Sequence, residues 1–477
     1  MKKSIAIIGA GPAGLTAGLN LSKKGFRVDI YEASSSVGGM SKTIKLWDQL
    51  VDLGPHRFFS QDPRVNKVLF EILKKDYAIV NRTTRIFYNN FFFDYPLKPF
   101  NALKGLGFWE SSRCLFSYIR SKIRNIFFKQ NDKKNSFEEW VQDRFGIRLF
   151  EIFFKTYSEK LWGISCKDLD SDFASQRIKK LSLFEAIKSA IFKDKKNKHK
   201  SLVDAFVYPN LGTGMIYERM SDKILNLGGK IYFNEKVKSV NPKLNNNNQV
   251  EIIFQNNKTK IYDEVISTMP ITTLVKSMGK IVPTIVLDSL NKLKFRNTIL
   301  VYLEIDDEHI FPDQWIYVHS QTFKTGRITN FKNWTATINK NKKESILCME
   351  YWANDNSALW SESDENLINL AISEILQTEL VKKNKVKNGF VVRLPKCYPV
   401  YSIGYKYLLK PVEKFLNKFK NITAIGRYGS FKYNNQDHSI LMGILAAENI
   451  AENKQHNLWE LNNDYEYQER GELKIEK

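Results

Sequence analysis

A chain of 477 residues, 43% hydrophobic and 13% aromatic, has enough apolar material for two or three domains with sizeable cores, which excludes a disordered or fibrous protein. Its formal charge of +22 would suit nucleic acid, a membrane surface or an anionic substrate. Much of that charge lies in Lys- and Asn-rich stretches such as KDKKNKHK (Lys193–Lys200), which read as a solvated loop, and no nucleic-acid-binding module is legible. The cysteines, Cys114, Cys166, Cys348 and Cys397, have neither zinc spacing nor a disulfide framework and suit a reducing cytoplasm. No run reaches the roughly 18 apolar residues of a membrane span.

The chain opens with SIAIIGAGPAGLTAGLNLSKKGFRVDIYEA. Two lysines before an apolar run imitate a signal peptide, but the glycines and Pro12 break any such helix. Strand, tight turn, helix and second strand explain it better. Gly9 permits the turn, Gly11 lets the backbone approach a pyrophosphate, and Gly14 allows close helix packing. The helix start offers N–H groups and a positive dipole end to the phosphates. Glu32, ending the second strand, is placed to accept from a ribose 2′-OH and would repel a 2′-phosphate. FAD and NAD both satisfy this motif. Gly38, Gly39 and Lys42 follow in EASSSVGGMSKT, a pattern similar to the second glycine pair of glutathione-reductase-like flavoproteins, whose loop covers the FAD pyrophosphate.

Residues 96–201 read as a mostly helical insertion. Leu115–Lys134 has the pattern of a basic amphipathic helix, suited to a domain surface or an anionic membrane. Ser136 and Glu139 form a capping-box pattern, and apolar residues from Phe137 to Phe154 recur at helical spacing around a break at Gly146. GGKIYFNEKVKSV (Gly228–Val240), which contains Val237, and YDEVISTMP (Tyr262–Pro270) look like later strands of the nucleotide domain. NTILVYLEI, SILCMEYWA and GFVVRLP predict an antiparallel sheet within 282–409, the expected substrate wall. The expected fold is therefore α/β. A Rossmann-like, glutathione-reductase-like FAD-binding domain is assembled from 1–95, 202–281 and 410–455, with a helical domain at 96–201, a sheet domain at 282–409 and a polar tail at 456–477.

Four further segments carry a resemblance. DLGPHRFF holds His56; TYSEKLWG holds Tyr157 and Trp162, with Arg177 farther on; TGRITNFKNW holds Arg327; and GRYGSFKYNNQDHS holds Gly426, Arg427, Tyr433, Asn435 and His438. Together they resemble UDP-galactopyranose mutase and its close flavoprotein relatives over nearly the whole chain. The N-terminal part is also similar to amine oxidases, phytoene desaturases and protoporphyrinogen oxidases. The cysteine pattern points to a cytoplasmic protein, with peripheral contact to the inner membrane face through the basic helix and self-association left open, and the resemblance implies an enzyme. It would interconvert pyranose and furanose forms of a UDP-sugar for surface polysaccharide synthesis, through N5 of reduced FAD. It implies that Arg177 and Arg327 clamp the diphosphate, that Tyr157, Tyr433 and Asn435 contact substrate, and that Trp162 walls the sugar pocket. Val237 would lie near the adenine, Gly426 and Arg427 against the FAD, and His56 on the flavin face.

Two positions depart from the bacterial mutase pattern. Phe59 stands where a second histidine often follows, and Asn435 replaces an aspartate. The alternatives are a FAD oxidoreductase of amine oxidase, desaturase or protoporphyrinogen oxidase type, and a non-catalytic flavin protein at a membrane surface.

Overall fold

The computed structural model describes residues 2–127, 136–173, 205–243 and 249–461. Arg177, the KDKKNKHK run and the tail beyond residue 461 lie outside the described residues.

Ser4–Ile8 is apolar and buried, and it becomes the central strand of a five-stranded parallel sheet. Arg27–Tyr31 and then Lys230–Tyr232 flank it on one side, while Glu264–Ser267 and then Ile422–Ala424 flank it on the other. The chain thus steps outward from the first strand in one direction, returns, and steps outward in the other. That reversal opens a crevice beside the carboxyl end of Ser4–Ile8, where ligands of such sheets bind.

The helix Pro12–Lys23 follows the first strand, with proline in its first turn, where the missing N–H costs nothing. A Cβ on Gly14 would sit 2.0 Å from the Gly9 carbonyl oxygen, so only glycine lets this helix lie so close to the strand. The C-terminal helix Gln436–Glu452 crosses it equally tightly. A Cβ on Gly443 would lie 2.5 Å from the Ala13 carbonyl oxygen and 2.8 Å from Thr16 Cβ.

The second sheet has seven strands in the order Val386–Pro399, Phe295–Ile305, Ser345–Ala353, Arg327–Asn330, Trp315–Val318, Thr84–Tyr88 and Phe91–Asp94. The three runs read as strands in the sequence pair antiparallel, as expected. The last two strands come from the first 95 residues, and Thr84–Tyr88 pairs parallel with Trp315–Val318. Alternation decides what each face meets. Leu347, Met349 and Tyr351 pack with Leu367, Ala371 and Ile375 of the helix Asp364–Gln377, whereas Glu350 and Trp352 point to the opposite face.

The helical segment begins as predicted. Ser136 caps Phe137–Phe145, its Oγ accepting from the Glu139 N–H at 3.2 Å, and Gly146 ends the helix at φ +79°. A π-helical turn, Glu151–Lys155, leads into Thr156–Trp162. Buried Arg296 fixes that helix end. It donates to the carbonyls of Lys160 (2.9 Å), Leu161 (3.1 Å) and Trp352 (2.9 Å) and to Asn354 Oδ1 (2.6 Å). One fork thus binds two carbonyls of the helix's last turn and one from the sheet.

Replacing Gly443 by valine should lower stability by about 2 kcal/mol or more, because the obstacle is backbone and cannot rotate away. A thermal melt checks this, and an unchanged melting temperature would contradict the close helix crossing.

Candidate active site

The crevice at the end of Ser4–Ile8 is lined first by backbone. Gly11 precedes the helix with no side-chain cap, and no acidic residue occupies the first turn, so the helix start presents bare N–H groups. Gly39, at φ +57°, faces it: a Cβ on Gly39 would lie 3.2 Å from Gly11 Cα. Gly38 sits at φ +102°, and its N–H donates to the Ala10 carbonyl at 2.8 Å. Glu32 stands at the rim. Its Oε2 accepts from the Ala10 N–H at 2.9 Å, and its Oε1 accepts from the Ser34 N–H (2.9 Å) and Oγ (2.6 Å). A carboxylate has about four lone-pair sites, so Oε2 retains capacity for a further donor. Lys42 Nζ reaches Ser34 Oγ at 2.6 Å, and burial lowers its pKa against the opposing pull of Glu32. Backbone bonds from Asn234 and Glu235 to Ser34 and Glu32 bring the start of Val237–Pro242, and so Val237, beside this rim.

Deeper in, polar and aromatic side chains from four distant segments converge. Gly426, at φ +81°, brings its chain against the first helix, since a Cβ there would be 3.1 Å from Ala13 Cβ. Arg427 follows. Its Nη1 donates to the Asn434 carbonyl at 3.2 Å, and its guanidinium carbon lies 4.6 Å from the ring centres of both Tyr398 and Tyr433. Its Nε and Nη2 are buried with no protein partner among the described residues. Leaving charged donors buried and unpaired is costly, so these two atoms mark where a polar ligand belongs.

Arg327 and Glu350 stand opposite each other on paired strands. Arg327 Nε donates to Glu350 Oε2 at 2.8 Å, and Nη2 bonds the same oxygen. Glu350 Oε1 accepts from Trp352 Nε1 (3.0 Å) and the Tyr398 hydroxyl (3.2 Å). Burial, the largest single influence, pulls the Arg327 pKa down, but the Glu350 carboxylate together with Tyr398, Tyr157 and Tyr317 outweighs it and holds the guanidinium well above its usual range. The Tyr157 ring stacks on His319 at 4.9 Å, with Tyr317 and Trp352 at its edges. Burial keeps its hydroxyl protonated, opposed by Arg327.

His56 completes the cluster. The residue is half-buried, and its Nδ1 is sealed off without a partner among the described residues. Burial first, then the charges of Arg327 and Arg427, lower its pKa from 6.5 to about 3. The imidazole is neutral at physiological pH, with one ring nitrogen a donor and the other an acceptor.

The structure therefore brings together His56, Tyr157, Arg327, Arg427 and Tyr433. Trp162 has no exposed surface and lies behind Tyr433 (5.7 Å) and Tyr398 (6.3 Å), lining no open cleft directly. Asn435 is the N-cap of Gln436–Glu452 in a reciprocal capping box with His438, a structural task for its side-chain oxygen. Arg177 lies outside the described residues. Sequence reasoning missed Glu350, Tyr398, Tyr317 and His319. Glu350 did leave a signal: it is the one ionisable acid in SILCMEYWA, and buried glutamates are rarely unpaired.

These features define a nucleotide-binding α/β fold joined to a polar, aromatic, cationic pocket. A profile of the flavin containing amine oxidoreductases matches residues 12–450, and the chain belongs to that family. The 4,4′-diapophytoene desaturase (4,4′-diapolycopene-forming) of Methylomonas sp is 27% identical over 161 residues, which is 33% of this chain and 28% of that protein. This chain thus matches well under two thirds of that curated relative's length. Among solved structures, reduced UDP-galactopyranose mutase superposes with a TM-score of 0.83 at 22% identity, covering 98% of this chain and 99% of that one. A triple mutant of putrescine oxidase, redesigned in its cofactor binding, superposes at 0.60 with 13% identity, covering 95% and 99%.

The fold is the mixed α/β fold of FAD-dependent amine oxidases, and the chain is a flavoenzyme whose cofactor is FAD. The residues present fit FAD. The glycine cradle leaves room for a pyrophosphate at a bare helix start, and the two orphaned Arg427 nitrogens supply donors at the inner end.

Two outcomes test this geometry. In the unfolded chain His56 charges below about 6.5, whereas the folded ring stays neutral to about 3. Its contribution to stability is therefore complete above pH 6.5 and lost as pH falls toward 3. The His56→Asn variant should flatten the acid side of a denaturation-versus-pH profile relative to wild type, and an unaltered acid limb would contradict a neutral buried ring. Second, Glu350→Gln should cost about 3 kcal/mol by leaving Arg327 unpaired, and adding Arg327→Met should recover part of it. Denaturant titrations of the single and double variants measure that coupling.

Proposed function

We propose that the protein is a UDP-galactopyranose mutase-like enzyme that interconverts pyranose and furanose forms of a UDP-sugar without net redox change. The observation that carries this reading is the pocket's composition. Two guanidinium groups and the hydroxyl-bearing rings of Tyr157, Tyr398 and Tyr433 surround a neutral His56. A cavity for an apolar polyene or a free amine has no use for two arginines. A nucleoside diphosphate does, because planar guanidinium forks pair with phosphate oxygens.

Reduced FAD would supply an electron-rich ring nitrogen able to displace UDP from the sugar's anomeric carbon. The chain's own residues hold the rest. Arg327, rigidly seated on Glu350, directs its remaining donors at a phosphate, and Arg177 is proposed as its partner in that clamp. Arg427 offers Nε and Nη2 at the cofactor side. Tyr157 and Tyr433 are proposed to donate hydroxyls to the diphosphate, which must be gripped while it is detached from the sugar and then returned. His56, uncharged, can hold one hydrogen bond at the flavin edge without adding a charge there.

A second reading, a FAD-dependent oxidoreductase of amine oxidase or desaturase type, is favoured by the family and by the curated desaturase. Against it stands the cationic character of the pocket, where Arg427 lies 4.6 Å from the ring centres of both Tyr398 and Tyr433 and Arg327 adds a second guanidinium, an environment that disfavours a charged amine.

The deciding experiment incubates dithionite-reduced protein with UDP-galactofuranose and follows UDP-galactopyranose by chromatography. Conversion is expected. Absence of conversion together with oxygen-dependent turnover of an amine would establish the second reading. Arg327→Lys keeps a positive charge beside Glu350 but loses the fork, so it should weaken UDP binding by roughly tenfold or more while flavin content stays intact. Titrating UDP into reduced protein and watching the flavin spectrum measures both.

A further inference from the structure

The helix Pro99–Phe127, kinked at Gly107, has two unlike faces in its second half. The inner face is fully engaged. Cys114 and Tyr118 are buried, Ser121 Oγ and Asn125 Nδ2 donate to the carbonyl of Asp143 at 3.1 and 2.9 Å, and Glu110 pairs with Arg148. Gly146 is drawn so close that a Cβ there would lie 2.8 Å from the Ser117 carbonyl carbon.

The outer face is exposed and apolar except for Ser112, whose hydroxyl is turned back onto the Phe108 carbonyl at 2.8 Å. Phe108 is 71% exposed, Trp109 81% and Phe116 69%, with Leu115, Ile119 and Ile123 between them. At 3.6 residues per turn these six side chains fall within a sector of about 120°. Soluble surfaces rarely leave so large a contiguous apolar stripe uncovered. Its edges carry cations, Lys122 on one side and Arg113, Arg120 and Arg124 on the other, with Arg113 lying 3.6 Å from Glu110 and Arg124 2.8 Å from Asp143. The only acid on this half of the helix, Glu110, belongs to the inner face.

We propose that this outer face seats the protein on an anionic lipid bilayer, the aromatic and aliphatic side chains entering the headgroup boundary and the basic edges pairing with lipid phosphates. Charge complementarity selects this occupant. A second copy packed face to face would bring the same basic edges together, whereas an anionic surface meets both edges with opposite charge. Trp and Phe suit the boundary because their rings sit well at headgroup level. Among the described residues no helix is long and apolar enough to cross a membrane, so the helix would lie along the surface. The proposal is independent of which reaction the active site performs.

Sedimentation of the full-length, flavin-loaded protein with vesicles tests it. Binding to phosphatidylcholine vesicles containing phosphatidylglycerol is expected, with little binding to phosphatidylcholine alone. The W109E/F116E double variant should bind roughly tenfold or more weakly. R113S/R120S should also lose roughly tenfold, as should wild type in high salt. These positions are exposed, so unchanged flavin absorbance confirms intact folding. Equal binding to both vesicle types, or full binding by W109E/F116E, would overturn the proposal. So would a protein that ignores vesicles. If such a protein is also a dimer in light scattering that W109E/F116E dissociates, the stripe is an interface between copies.

Discussion

Close approach of backbone to backbone around the start of Pro12–Lys23 is the constraint on which the site depends. Gly14 must lie against the Gly9 carbonyl, Gly426 against Ala13, and Gly443 against the Ala13 carbonyl. Contact excludes a Cβ at Gly14 and Gly443, the left-handed φ of +81° favours glycine at 426, and together they bind segments from opposite ends of the chain to a single helical turn. Arg427 and Tyr433 face the first βαβ unit only because Gly426 and Gly443 allow it. Larger residues would push the C-terminal segment outward and separate the two walls of the crevice.

Within that frame, charge is distributed with restraint. Of the two guanidinium groups, Arg327 is paired with a buried carboxylate, and the histidine near both is kept neutral by burial and by those same cations. The pocket is therefore cationic on balance without an unpaired charge on Arg327. Seating an arginine on a buried glutamate costs desolvation for both partners, and the return is a fixed direction for the remaining donors. Tyr398 takes part twice, donating its hydroxyl to Glu350 and lying beside Arg427. Arg296 plays a comparable part outside the pocket, tying the helix that bears Tyr157 to the sheet that bears Glu350.

Local signals in the sequence were accurate where the physics is local. GxGxxG between an apolar strand and a helix needs only short-range sterics, and it lies at the crevice as read. Ser136 and Gly146 bound a helix through hydrogen bonds and a positive φ that involve their immediate neighbours. The runs around Val301, Met349 and Val391 alternate or are wholly apolar, and they form strands. Long-range pairings were harder to read. Thr84–Tyr88 lies within the segment 1–95 assigned to the nucleotide unit, yet its partner is Trp315–Val318. Asn435 carries no mark that separates a ligand from a helix cap until its reciprocal bond with His438 is known.

The sequence alone determined the nucleotide cradle, the alternation of the second sheet and the basic, apolar character of Leu115–Asn125, since each follows from residue type and spacing within one segment. Tertiary structure decided which side chains meet: Arg327 with Glu350, Arg427 with Tyr398 and Tyr433, and Trp162 behind them, out of solvent. It also decided that the apolar stripe on the helix faces outward while Cys114 and Tyr118 face in. Those outcomes depend on contacts between segments far apart in the chain, and no periodicity within a segment encodes them.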